Sequence, residues 1–484
     1  MTAGSARAMM WRTGGALAHT LAALGVAGLL AACAPAPAAP AATPVPTALA
    51  PTAGATAAPT ATATPALPAP TITPTPVPGG LFVDPQTSLG PISRLSFGSN
   101  YGPWSLIPPG SQKQLLGSKL TYVRFPGGNW GDEHDLTGQQ IDDFITLCRQ
   151  LQAEPGISVR LRNGNPAQAA ALLRYTNIDK GYGVRYWSIG NEPTLYGEYD
   201  IERFNREWRA TALEMRAIDP QIVLIGPDIH QFDADGRMRD PKNRFSMHEF
   251  MRAFLQANGD LVDIVSIHRY PFPVQPKDGD PTVAQLRANS REWDALIPAL
   301  RTIIRETTGR DLPVAVTEVN ANWTGSLGGD ATPDSTFAAV WWADSLGRMI
   351  RQRVEIVAHF AIFAPQSEGW GLLNSFSTRP AYHVYQLYSM FGQEQVYASS
   401  DDPNVTIVAA RRSDGALTLM ITNLADQPAE PRLMLAGGAL PDSAETWRLD
   451  AEHRGTQVDP TPLDGAGTLT LPAQSVTLLV LPSS

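Results

Sequence analysis

From about residue 92 onward, short β-rich apolar runs recur along the chain. A polar turn follows each, and then a stretch with apolar positions at helical spacing. The runs are Arg94–Gly98, Thr121–Phe125, Ile157–Leu161, Val184–Ile189, Ile222–Ile225, Val262–Ile267, Val314–Thr317 and Val354–Phe363. Helical spacing is plain over Ile201–Ile218 and Ser335–Arg353. Eight strands alternating with helices predict an α/β fold of the closed (β/α)8, or TIM, barrel type. An open doubly wound sheet is the runner-up, and no Gly-x-Gly-x-x-Gly turn follows an early strand to favour it. Past Gln393 the helical spacing stops. Val405–Arg411, Leu417–Asn423, Arg432–Ala436, Glu445–Leu449, Thr468–Leu471 and Ser475–Leu481 read as strands, with turns such as Ser413-Asp414-Gly415 between them. They predict a small C-terminal antiparallel β-sandwich. The expected boundaries are 81–393 for the barrel and 394–484 for the sandwich, with residues 81–91 available to add a strand to the sandwich. The sandwich reads as a buttress, since no exposed aromatic row marks it as a sugar binder.

The chain ahead of the barrel has a different pattern. Arg7 and Arg12 precede an apolar run from Gly14 to Ala32, interrupted only by His19 and Thr20, that ends in Leu30-Ala31-Ala32-Cys33. Such a run is short for a permanent membrane span, and small residues before the cysteine suit a signal peptidase groove. Residues 1–33 resemble a bacterial lipoprotein signal, which implies lipidation of Cys33 and an extracytoplasmic, membrane-anchored protein. An ordinary secretory signal is the alternative. Of the 45 residues in 34–78, 39 are Ala, Pro or Thr, and none is charged or aromatic. A stretch of this kind buries no core and stays extended, so 34–80 is expected to be a disordered linker. At ~3.1 Å per residue it reaches on the order of 140 Å.

Composition narrows the function classes. Of the 484 residues 43% are hydrophobic, enough for a sizeable core, and 37 Lys plus Arg face 46 Asp plus Glu for a net charge of −9. That balance disfavours a nucleic-acid partner, which calls for a basic surface. Two cysteines exclude a disulfide framework, and no His–Cys cluster suggests structural zinc. Cys148 falls on the apolar stripe of an amphipathic segment, Gln139–Leu151, where a buried structural thiol is the expectation rather than a nucleophile. No metal and no cofactor is called for.

In a barrel of this kind the reacting groups project from the C-terminal ends of strands. The fourth run ends Trp187-Ser188-Ile189-Gly190-Asn191-Glu192-Pro193, and the seventh continues into Thr317-Glu318-Val319-Asn320. Carboxylates three strands apart can face each other across the barrel mouth. Glycosidic cleavage needs that pair, one to protonate the leaving oxygen and one to attack the anomeric carbon. Strand two ends Arg124-Phe125-Pro126-Gly127-Gly128-Asn129, and strand six ends His268-Arg269-Tyr270-Pro271. With these four motifs in this strand order, residues 92–393 resemble the retaining (β/α)8 glycoside hydrolases of clan A. The arabinofuranosidase, β-xylosidase and endoglucanase families (51, 39 and 44) are the ones it is similar to.

The resemblance implies roles. Glu192 would be the general acid/base and Glu318 the nucleophile. Asn191 would hydrogen-bond the substrate 2-hydroxyl, Tyr270 would donate to Glu318, and Arg124 would lie beside Glu318. His268 and Asn129 would contact the substrate or the two glutamates, and Trp370, in Gly369-Trp370-Gly371, would be the aromatic wall after strand eight. Trp130, Tyr196, Phe272 and Trp323 also follow strand ends, and one or two aromatics are expected to contact sugar. Asp132-Glu133-His134-Asp135 reads as a solvated acidic loop or a hydroxyl-recognition element rather than a metal site. The sugar stays open, because strand one ends Phe97-Gly98-Ser99-Asn100-Tyr101, without the glutamate that arabinofuranosidases usually carry there. The implied activity is hydrolysis of extracellular poly- or oligosaccharides through a covalent glycosyl-enzyme. The alternatives are a carbohydrate-binding surface lipoprotein without activity and a two-lobed solute-binding protein.

Overall fold

The described chain begins in a strand, Gly80–Pro91 (β1), and then enters eight short strands: Gly98–Asn100 (β2), Tyr122–Phe125 (β3), Glu154–Val159 (β4), Tyr186–Ile189 (β5), Val223–Ile229 (β6), Ile264–Arg269 (β7), Val314–Val319 (β8) and Ile356–His359 (β9). Each pairs in parallel with the next, and β2 pairs with β9 to close the barrel. In this computed structural model residues 80–272, 280–463 and 467–483 are described. The signal-like segment with Cys33 and the linker up to residue 79 lie outside them. Among the described residues no helix is long and apolar enough to cross a membrane.

The first strand is shifted from its expected place. Arg94–Ser96 forms one turn of 3-10 helix, capped by Ser93 Oγ accepting the Leu95 N–H at 3.2 Å. The apolar alternation of Leu95 and Phe97 imitates a strand, but Leu95 is buried beneath the barrel with Tyr122, Ile225, Ile264, Ala315 and Ile356. Strand eight is likewise shorter than its apolar run, stopping at His359.

Inward-facing positions alternate along each strand, so that a polar layer sits above this apolar plug. Tyr122 in the plug is followed two residues on by Arg124, Ala315 by Thr317, and Ile264 by Ser266 and His268. The pairing of β7 with β8 slips between Ile267 and His268, and that of β8 with β9 slips between Val316 and Val319. An extra residue at such a bulge changes which way the next side chain points. Here Thr317 and Glu318 both reach polar partners inside the barrel mouth.

The rest of the chain forms Glu394–Ser400 (β10), Val405–Arg411 (β11), Leu417–Asn423 (β12), Arg432–Leu435 (β13), Ser443–Leu449 (β14), Arg454–Pro462 (β15) and Ser475–Leu481 (β16). With β1 they make a curled eight-stranded sheet in the order β13-β1-β10-β11-β12-β16-β14-β15, the C-terminal β-sandwich. It is mixed rather than wholly antiparallel, because β1 runs parallel to β13. Thr468 and Leu471, expected within a strand, make only isolated bridges to Arg432 and Ala429.

The central strands are buried on both faces, which explains their continuous apolar runs. Val405, Ile407, Leu419, Ile421 and Leu479 pack inside the sandwich, whereas Val408, Met420, Leu478 and Val480 join the barrel's helical layer. The helix Thr336–Arg351 lies between, buried from Phe337 to Ile350. Its Asp344 accepts from Thr406 Oγ1 of β11 at 2.6 Å and from Arg348 Nε at 2.8 Å, a buried polar bond across the seam. Cys148 is buried and its thiol is pushed far up by that burial, so it is a core thiol as expected.

Candidate active site

The polar layer of the barrel converges on one guanidinium. Arg124, 1% exposed at the end of β3, donates to Glu318 Oε1 (2.8 Å), Asn191 Oδ1 (2.8 Å), Asn100 Oδ1 (3.1 Å) and Asp228 Oδ2 (3.2 Å). Burial disfavours its charge, yet Asp228 and Glu318 outweigh that and raise its pKa. Asp228 is also pushed up by burial, but Arg124, His268 and hydrogen bonds from Ser266 and Thr317 bring it below the usual carboxylate range.

Glu318 is fixed at both oxygens. Oε1 accepts from Arg124 and from the Gly128 N–H at 2.7 Å, and Oε2 accepts from Tyr270 Oη at 3.0 Å. Gly128 has φ +63°, and a Cβ there would meet the Phe360 ring at 3.4 Å. Glycine adopts this backbone without strain and leaves the N–H aimed at the carboxylate. Tyr270 is kept protonated first by burial and then by the charges of Glu318 and Glu192.

Glu192 lies opposite. It sits in the left-handed region (φ 45°, ψ 52°), and its N–H donates to the Asp228 carbonyl at 3.0 Å. Burial raises its pKa, with Asp228 adding to the rise and His230 and Arg124 opposing it. His268 Nδ1 stands between the pair, 3.1 Å from Glu192 Oε1 and 3.6 Å from Glu318 Oε2. Burial lowers the His268 pKa, so the ring is neutral at neutral pH. One oxygen of each glutamate and a nitrogen of His268 all lie within 4.8 Å of one another.

That trio is the one group among the described residues close enough to hold a cation. An ion there would face the Arg124 charge and compete with donors already on both Glu318 oxygens. This donor set suits a carboxylate nucleophile better than a metal ligand.

The structure thus brings together Glu192, Glu318, Asn191, Tyr270, His268 and Arg124. Asn129 reaches neither glutamate. Its Oδ1 accepts from Asn191 Nδ2 at 2.9 Å, which fills the second end of the Asn191 amide. The aromatic residue directly after strand eight is Phe360, not Trp370. Trp370 comes ten residues later and meets Phe360 edge-on at 5.5 Å, and the exposed Trp104 stacks on the same ring at 6.0 Å. Tyr196 is buried and unavailable as a sugar platform. Asp132, expected in a solvated loop, is 3% exposed. Burial raises its pKa to about 6 against the pull of Tyr196 and three backbone N–H groups. Glu133, His134 and Asp135 are exposed as expected.

Sequence reasoning overlooked Asn100, Asp228, His230 and Phe360. Asn100 occupies the strand-one end, where it accepts from Arg124 and donates to the Thr317 carbonyl at 2.9 Å. Asp228 lies in Gly226-Pro227-Asp228, a turn-like sequence that gives no hint of a buried ion pair. His230 Nδ1 lies 2.5 Å from Thr194 Oγ1, just past Glu192. Phe360 had a legible signal, being the first aromatic after the eighth apolar core.

No family model matches the chain. It is 28% identical over 204 residues to an intracellular exo-α-(1→5)-L-arabinofuranosidase of Streptomyces lividans, a match spanning 33% of this chain and 29% of that enzyme. To endoglucanase A of Paenibacillus lautus it is 24% identical over 338 residues, spanning 57% of this chain and 45% of the other. The chain therefore spans less than half the length of these two curated relatives. The α-L-arabinofuranosidase of Thermotoga maritima in its arabinose complex has a TM-score of 0.66 against 83% of this chain and 99% of its own. At 16% identity this last likeness is one of fold.

Proposed function

From a chain that resembles clan A glycoside hydrolases in sequence and in fold, we propose a retaining O-glycoside hydrolase acting on poly- or oligosaccharides. The observation that carries the reading is the approach of Glu192 and Glu318 oxygens within 4.8 Å, in unlike environments. Carboxyl groups about 5–5.5 Å apart suit double displacement, whereas inverting enzymes leave about 6.5–9.5 Å for a water. Glu192, with its raised pKa, holds the proton for the leaving oxygen and afterwards takes one from water. Glu318 attacks the anomeric carbon, its lone pairs aligned by Arg124, Tyr270 and the Gly128 N–H. Asn191 hydrogen-bonds the sugar 2-hydroxyl by exchanging its contact with the exposed Asn129. Phe360 and Trp370 wall the sugar ring.

A panel of aryl glycosides assayed at neutral and mildly acidic pH tests the activity, with proton NMR on the first-formed product. Retained anomeric configuration is the expected result, and an inverted product rules out double displacement. Tyr270→Phe removes one donor from an ionised oxygen. A hydrogen bond to a charged group contributes about 1.5–3 kcal/mol, so kcat is expected to fall about 10- to 100-fold. Unchanged kcat in that variant would remove Tyr270 from the nucleophile's support.

The same proposal places the enzyme outside the cytoplasm, anchored by lipid on Cys33, on the strength of the Leu30-Ala31-Ala32-Cys33 box. Cys33→Ser expressed in a bacterial host is expected to move the protein from the membrane pellet to the soluble fraction. Unaltered sedimentation with membranes rejects the anchor.

A further inference from the structure

The loop that presents Glu192 is held from behind by a residue that follows another barrel strand. Pro193–Leu195 is a single 3-10 turn, after which Tyr196 folds back so that its Oη lies 3.2 Å from the Asn191 nitrogen. The segment 191–196 is thereby closed into a ring with Glu192 at its tip. Asp132, in the short helix Trp130–Glu133 after β3, takes both ends of that ring on one oxygen. Its Oδ2 accepts from the Asn191 N–H at 2.9 Å and from Tyr196 Oη. The other oxygen faces the N–H groups of Leu161 and Arg162, each at 3.4 Å, in the loop after β4. One buried carboxylate thus joins the loops after the second, third and fourth barrel strands. It touches neither glutamate.

We propose that Asp132, with Tyr196, is a positioning residue for the general acid. By anchoring both ends of the Asn191–Tyr196 ring it fixes where Glu192 points its proton. The inference rests on the hydrolase reading and deepens it. Glu192 sits in the left-handed backbone region, which non-glycine residues occupy only when their surroundings hold them there. The Asp132 contacts supply that constraint on one side, and the Asp228 carbonyl supplies it on the other. Glu318 is held by Arg124, Gly128 and Tyr270, none of which hydrogen-bonds Asp132, so the nucleophile keeps its own donors when the anchor is weakened.

This separation makes the role measurable. A leaving group that departs as a stable anion needs no proton, whereas a sugar or alkyl alcohol does. In Asp132→Asn, kcat/KM for an alkyl glycoside or a disaccharide is expected to fall about 30-fold or more. The 2,4-dinitrophenyl glycoside of the same sugar should change no more than about 3-fold. Glu133→Gln, an exposed change on the same short helix, serves as control and should leave both substrates unaffected. Tyr196→Phe, which keeps the aromatic side chain and deletes only its hydroxyl, is expected to show the same selectivity at smaller size. It carries the test where Asp132→Asn fails to fold, as judged by circular dichroism and melting temperature. An equal loss on both substrate types in the folded variants, or no loss on either, overturns the assignment. Wild-type protein that cleaves no glycoside overturns the hydrolase reading itself and the positioning role with it.

Discussion

Glu318→Ala is expected to lower kcat on the order of 10⁴- to 10⁶-fold, the scale on which enzymes lose turnover when a covalent nucleophile is deleted. The loss should be recoverable by a small anion. Removing the carboxylate opens a space between Arg124, Tyr270 and the Gly128 N–H, all donors previously directed at Glu318 oxygens. Azide entering that space meets the anomeric carbon from the side Glu318 would have attacked, while Glu192 still protonates the leaving group. A single displacement follows, and the product is a glycosyl azide of inverted configuration. NMR of that product decides the matter. Full activity in the mutant, or a retained azide product, removes Glu318 as nucleophile. A surface carbohydrate-binding protein without activity would turn over no glycoside, with or without Glu318.

Glu192→Ala should behave in the complementary way. Glycosides with poor leaving groups should lose on the order of 10²- to 10⁴-fold, the usual contribution of a positioned acid. With a dinitrophenyl leaving group the glycosyl-enzyme still forms, but water lacks its base, so a burst followed by slow turnover is expected. Azide now accelerates the second step and gives a product of retained configuration. The pH profile changes too. Burial holds the Glu192 pKa above the ordinary carboxylate value, so the acid stays protonated further toward neutral pH and the wild-type rate falls as pH rises through that pKa. The alkaline limb should vanish in the mutant. A limb that persists belongs to some other group and would separate Glu192 from the proton transfer.

The two glutamates were legible because strand ends are punctuated. Ser188-Ile189-Gly190-Asn191-Glu192-Pro193 stops a strand with a glycine and a proline around a polar pair, and such stops are local in sequence. Asp228 and Asn100 were not legible because each has meaning through partners distant in sequence, above all Arg124, 104 and 24 residues away. Asp132 was misread for a related reason. Its neighbours Glu133, His134 and Asp135 are solvated, and nothing within that stretch shows that the carboxylate turns inward to Asn191 and Tyr196. In the sandwich, the central strands announced themselves through apolar runs. Arg454–Pro462 did not, since it is an edge strand with mostly exposed residues and no inward stripe. Arg94–Gly98 shows the converse error, in which Leu95 plugging the barrel floor and Phe97 packing on Tyr388 of the outer layer together imitate strand alternation.

The placement of β1 bears on how the molecule withstands force. Although it is the first described strand, β1 pairs with β10 through Leu81↔Ser400 and with β13 through Leu81↔Leu433, partners more than 300 residues downstream. Tension applied to the chain ahead of Gly80 therefore enters the sandwich ladders first and is shared with the end of the polypeptide. The barrel strands, and the two glutamates between them, stand off that line of stress. The same pairing means that β1 has no partner during synthesis until β10 is made, after all eight barrel strands have emerged.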